Sequence, residues 1–161
     1  MKYIAFTTVI IALISCSEIQ KSNDFDRESI IEEVNLMLNK YHEDIGREGL
    51  TAEFKYLDQS PDFFWVPPGY DKSLSYDSVK DILEANAKAY SSIEFHWDTL
   101  QIFPLSSEIA NFSGIVDGFM IDTAGVESKI SIIESGTIIK REDGWKLLSG
   151  QSAILNTESE N

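Results

Sequence analysis

Two hydrophobic periods divide this chain, and the switch between them near Ser92 limits its fold more than any other feature. Upstream, apolar residues recur every three or four positions. Ile30, Val34, Met37, Tyr41 and Ile45 form one stripe, widened by Ile31 and Leu38, which predicts a long amphipathic helix. Ser29-Ile30-Ile31-Glu32 reads as its capping box, and the Gly46 to Gly49 region as its end. Leu50, Phe54 and Leu57 predict a short second helix. Asp62 to Val66 predicts a strand stopped by Pro67-Pro68-Gly69, and Tyr76 to Tyr90 a further helix.

Downstream, the period becomes two. Ile93, Phe95 and Trp97 alternate with Glu94, His96 and Asp98, as in a half-buried strand. The phase then slips to Leu100, Ile102 and Pro104, which predicts a bulge near Thr99 that curves the sheet. Strands are predicted over 109–120, 126–140 and 145–155, joined by turns at Asp122-Thr123-Ala124-Gly125 and Glu142-Asp143-Gly144. Helices with one strand, followed by four strands in an antiparallel meander, predict an α+β fold with the helices on one face of a curved sheet.

The ends speak to compartment. Met1-Lys2 precedes an almost wholly apolar run, Tyr3 to Ile14, with the form of a secretory signal and too few residues to span a bilayer comfortably. Leu13-Ile14-Ser15-Cys16 resembles the lipobox of bacterial lipoproteins, which implies lipid on Cys16 and a periplasmic or cell-surface location. Cys16 is the only cysteine, so no internal disulfide is possible. The expected organisation is a signal peptide over 1–15, a lipidated cysteine and polar tether over 16–25, one domain over 26–155 and a flexible tail over 156–161.

Charge excludes some partners. The chain has 13 basic against 27 acidic residues, a formal net charge of −14. Nucleic acid is not expected, because its phosphates need lysine and arginine. A polybasic grip on anionic lipid is excluded for the same reason, leaving lipid on Cys16 as the expected membrane anchor.

Element order, together with Asp143-Gly144-Trp145 and the strand after it, resembles the nuclear transport factor 2-like fold in its SnoaL-like branch. Related domains, including the association domain of calcium/calmodulin-dependent protein kinase, often end W-x-x-V-H-x-H-x-S. The corresponding residues here are Trp145, Leu148, Ser149, Gln151 and Ala153, so both histidines and the serine are replaced. The resemblance implies a cone whose curved sheet and long helix enclose a cavity. It also implies a homodimer through the outer face of the sheet. Relatives use the cavity for isomerisation, cyclisation, dehydration, binding or association, so function must come from residues.

Trp145, Leu147, Ser149 and Gln151 fall on one face of a regular strand, which makes Ser149 and Gln151 candidates for a pocket wall. Trp65, Tyr70, Phe95 and Trp97 are candidates for its apolar lining, or else simply core. Asp117, beside Gly118 in a strand, and His96 are the weak catalytic candidates. His96 points opposite Phe95 and Trp97, alongside Glu94 and Asp98, toward a solvated or dimer-facing strip. His42 is expected to be exposed, beside the helical stripe. With two scattered histidines and no cysteine past Cys16, no metal site or cofactor is expected. No phosphate-cradling glycine loop, EF-hand loop or G-x-S-x-G elbow occurs.

Serine and glutamine at the two histidine positions can hydrogen-bond but cannot carry a proton near neutrality. This favours a lipid-anchored domain that binds a small apolar or amphipathic ligand, or a protein partner, without catalysis. An isomerase, cyclase or hydrolase of SnoaL-like type, and an interaction module with a filled cavity, are the alternatives. The enzyme requires an ionisable side chain inside the cone; the binder requires its absence.

Overall fold

The computed structural model describes residues 25–159. The expected signal peptide, Cys16 and most of the expected tether lie outside them. Helix α1 spans Arg27–Glu48, a 3-10 helix spans Leu50–Lys55, and helix α2 spans Tyr76–Asn86. Five strands follow the chain as β1 (Phe64–Val66), β2 (Tyr90–Pro104), β3 (Ile109–Asp122), β4 (Glu127–Arg141) and β5 (Gly144–Ser159). They form one sheet in the order β1-β5-β4-β3-β2. The four long strands are the expected antiparallel meander, and β1 adds to its edge in parallel with β5, so the sheet is mixed. The strand expected to end at Leu155 continues to Ser159, its backbone paired with β4.

Helix α1 begins three residues before the expected box. Asp26 is the cap, its carboxylate accepting from the Ser29 amide at 3.1 Å. At its other end Gly49 takes φ 86°, which favours glycine, and its amide closes on the Ile45 carbonyl. The stripe of α1 lies on the inner face of the sheet. Val34, Leu38 and Ile45 are fully buried there with Ile138.

Trp145, at the start of β5, is buried and donates its indole N–H to Glu33 of α1 at 2.8 Å, while Lys140 reaches the same carboxylate at 2.6 Å. Arg141 grips Asp58 through two bonds of 2.9 Å, tying the β4–β5 turn to the segment after the 3-10 helix.

Two bulges set which residues face inward. In β2, Trp97 pairs with Val116 and Thr99 with Ile115, so Asp98 is the extra residue. This is the slip expected near Thr99, and it returns Leu100 and Ile102 to the inner face. In β5, Leu147 pairs with Ile138 and Ser149 with Thr137, so Leu148 is extra. The inner residues of β5 are therefore Trp145 and Leu147, then Gly150 and Ser152. Gly150 is necessarily small, because a Cβ there would meet the Trp65 ring at 2.5 Å. Gly150→Ala should lower stability by about 1–3 kcal/mol through overpacking, read as a reduced denaturant midpoint.

Candidate functional site

Helices α1 and α2, the 3-10 helix and the inner face of the sheet enclose a cavity of about 230 Å³. Most of its wall is apolar, from residues such as Leu50, Ile82, Phe95 and Met120. The polar groups are few, and two of them are glutamates.

Glu53 enters from the 3-10 helix and Glu134 from the middle of β4. Each keeps part of its surface accessible, because it faces open space inside the cavity, yet each is enclosed by protein. Burial raises the Glu53 carboxyl to about 8, with the nearby Glu134 adding to the rise and the Tyr41 hydrogen bond opposing it. Burial raises Glu134 to about 7, against a hydrogen bond from Ser152. Near neutral pH the pair therefore holds at least one proton, and Glu134 is the acid nearer to losing its own.

Each carboxyl is held from behind. Tyr41 donates its hydroxyl to Glu53 Oε2 at 2.9 Å. Ser152 donates to Glu134 Oε1 at 3.0 Å, and the Trp65 indole N–H donates to the same Ser152 oxygen at 3.0 Å. The tryptophan thereby fixes the serine hydroxyl toward the carboxylate. The 3-10 helix that carries Glu53 is itself pinned to α1. Tyr56 donates to the buried Asp44 at 2.6 Å, and Arg47 and Lys55 surround that carboxylate, which stays below its ordinary range chiefly through the tyrosine bond.

His42 also lines the cavity. It is only 5 % exposed, contrary to the expectation of a solvated residue. It stands four residues after Leu38 and three before Ile45, on the face that packs against β2. Its ring stacks on Trp97 with centroids 4.8 Å apart, and its Nδ1 is buried without a hydrogen-bond partner. Burial lowers it to about 4, with His96 adding to the effect, so it is neutral at physiological pH.

The expected site residues divide. Trp65 and Phe95 line the cavity, while Trp97 packs beneath His42 in the core. Tyr70 is 44 % exposed and away from the lining. Ser149 and Gln151 lie on the outer face with Asn111 and Thr137, because the Leu148 bulge breaks the alternation on which they were placed inside. His96 and Asp117 face each other across β2 and β3 at 3.9 Å, also on the outer face, with side chains 73 % and 44 % exposed. Neither reaches the cavity. Among the described residues no cluster of three or more acidic, histidine or cysteine side chains is arranged to hold a metal.

Glu53, Glu134, Ser152 and Tyr41 were missed as site residues. One sequence signal was available for Glu134: it stands in β4 between Ile132 and Ile138, two residues of the inner face. Its partner across the sheet, Ser152, is placed inside only by the bulge.

The sequence matches no protein-family model and no curated protein. Solved structures do match. A protein from Novosphingobium aromaticivorans provisionally named a scytalone dehydratase has TM-score 0.71 at 14 % identity, covering 83 % of this chain and 89 % of that one. A hexachlorocyclohexane dehydrochlorinase, LinA type 2, has TM-score 0.68 at 11 % identity, covering 84 % and 91 %. A nuclear transport factor 2-like superfamily protein from Salmonella enterica serovar Typhimurium has TM-score 0.67 at 14 % identity, covering 79 % and 92 %. The fold is nuclear transport factor 2-like.

The expected non-catalytic binder is overturned. It required a cavity free of ionisable groups, whereas this one holds Glu53, Glu134 and His42, in a fold whose solved neighbours include a dehydrochlorinase. Nor do the protein's own aromatics fill the cavity.

The raised glutamates carry a stability signature. Unfolded, both titrate near 4.3; folded, near 7 and 8. Between those limits the folded state holds protons that the unfolded state releases, so stability falls as pH rises. His42, lowered when folded, acts oppositely between about 4 and 6.5 and is silent above. From pH 6.5 to 8.5 the melting temperature should fall by about 8–12 °C, and in the Glu53→Gln/Glu134→Gln double variant it should stay level.

Proposed function

We propose that this protein is a proton-transfer enzyme acting on a small organic substrate inside the cavity, by elimination or isomerisation. The observation that carries this reading is the pair of glutamates with raised, unequal proton affinities in an otherwise apolar cavity. In an elimination, the Glu134 carboxylate takes a proton from a substrate carbon. The C–H electron pair becomes the new C=C bond. The leaving group departs from the adjacent carbon with the Glu53 proton, as water from an alcohol or as hydrogen halide from a halide. In an isomerisation the second proton goes to carbon instead. The dehydrochlorinase and dehydratase names of the structural neighbours support elimination as the first chemistry to test, and a SnoaL-like relationship is consistent with either.

Base and acid must be ionised and protonated together. The pH profile of kcat/KM should therefore be a narrow bell, rising through about 7 and falling through about 8. One- and two-ring β-hydroxy ketones and vicinal chlorides, followed by proton NMR, make a suitable substrate panel. Glu134→Gln should reduce kcat by about 10²–10⁴; a variant as fast as the parent would remove Glu134 as the base. Independently of any substrate, carbon-13 NMR of labelled glutamate should give two carboxyls titrating near 7 and 8. Values near 4.3 for every glutamate would end the proton-transfer reading.

Lipid on Cys16, holding the domain at a membrane of the cell envelope, belongs to the same proposal. Its support is the apolar run Tyr3 to Ile14 followed by Ser15-Cys16. Cys16→Ser should move the protein from the membrane fraction to the soluble fraction; a variant that stays in the membrane fraction would contradict lipidation.

A further inference from the structure

The cavity carries information about substrate charge as well as about chemistry. Among the described residues, its lining includes two glutamates, one histidine, one asparagine and one serine, and neither a lysine nor an arginine. The histidine brings no positive charge, since it is buried among the rings of Tyr41, Phe95 and Trp97. An anionic ligand entering here would give up its hydration and meet no cation, which is among the costliest transfers a binding site can ask for. The formal net charge of −14 adds a repulsive field on the approach.

Volume sets a second limit. About 230 Å³ exceeds the roughly 150 Å³ that accepts benzene and falls short of the roughly 300 Å³ where drug-sized pockets begin. Tyr41, Trp65, Tyr90 and Phe95 offer aromatic surface to a planar or cyclic guest. The protonated Glu53 can donate to a ligand oxygen, and so can the neutral His42 through an N–H.

Resting on the proton-transfer reading of this same site, we infer that its substrate is an uncharged molecule of one or two rings bearing a hydroxyl or carbonyl oxygen, and that carboxylates and phosphorylated compounds are excluded. Two features of the site enforce this together: no cation compensates an incoming charge, and Glu134 repels one once ionised.

A matched pair of probes tests it. 2-Naphthol and 2-naphthoate share one bicyclic frame and differ in charge at pH 6. Titration calorimetry on the full chain should show 2-naphthol binding at least 30-fold more tightly, with the ratio growing between pH 6 and 8 as Glu134 ionises. In Glu134→Gln that growth should shrink, leaving the part Glu53 contributes toward pH 8, while naphthol still binds. Leu83→Trp, which fills the cavity from α2, should abolish naphthol binding. Equal or tighter binding of 2-naphthoate, binding of neither probe, or unchanged naphthol binding in Leu83→Trp would each overturn the inference.

Failure here is separable from failure of the catalytic reading. Glutamates titrating near 7 and 8 beside a preference for naphthoate would leave proton transfer standing and remove the substrate class. A naphthol preference with glutamates titrating near 4.3 would do the reverse.

Discussion

One inserted residue in β5 governs the site. Without the bulge at Leu148, the alternation begun by Trp145 and Leu147 would continue through Ser149 and Gln151, and Gly150 and Ser152 would face outward. With it, Gly150 turns inward and leaves room for the Trp65 ring to lie across it. The indole N–H then meets Ser152, whose hydroxyl meets Glu134. A change of parity at one position thus decides whether β4's glutamate has a supporting chain or stands alone in an apolar wall. The edge strand β1 belongs to the same arrangement, since its parallel pairing of Trp65 with Gly150 sets the tryptophan above the glycine.

A carboxyl enclosed in apolar surroundings is normally stabilised by a cation or forced to keep its proton. Elsewhere in this molecule the first solution is used. Asp58 has Arg141, Glu33 has Lys140, and Asp44 is ringed by Lys40, Arg47 and Lys55. Those carboxyls all sit below their ordinary range. Around the cavity, by contrast, the enclosed acids have neutral partners, a tyrosine and a serine. Both partners donate, which partly offsets burial without cancelling it, and so leaves proton affinities near the working range of a base and an acid. Basic residues exist within reach of the same elements, such as Lys55 two positions after Glu53, but they point to the outer network. The contrast between paired structural acids and unpaired cavity acids separates folding from chemistry in one small domain.

The fold was legible in the sequence because periodicity survives local error. The helical stripe from Ile30 to Ile45, the slip near Thr99 and the two hairpin turns each stand on several residues, so mistaking Ser29 for the cap moved one boundary and changed no topology. The site was much less legible. The Asp98 bulge shows itself because apolar residues change phase on both sides of it. The Leu148 bulge does not, because Ser149, Gly150, Gln151 and Ser152 are all small or polar and carry no hydrophobic phase to shift. His42 was recoverable from helical spacing, as it follows Leu38 by four residues. Glu53 was not: a 3-10 helix of six residues has no stripe long enough to say which way an acid points.

The two acids also come from unlike supports, and this bears on how a site of this kind is kept in register. Glu134 stands on a central strand, paired on both sides, where backbone position is set by the whole sheet. Glu53 stands on a short helical turn outside the ladder, which the sheet holds only at its C-terminal end, where Tyr56 and Asp58 bond Leu147 of β5 through the backbone. Side chains complete its placement: Tyr41 from within the cavity, and the Tyr56–Asp44 bond behind the turn. Tyr41 projects from α1 and Tyr56 from the end of the 3-10 helix beside it, and their rings meet edge to face at 5.5 Å. The separation of acid from base therefore depends on α1 keeping its seat on the inner face of the sheet, which is the task of its fully buried Val34, Leu38 and Ile45. Core packing along one helix and the geometry of proton transfer are, in this chain, the same constraint seen from its two ends.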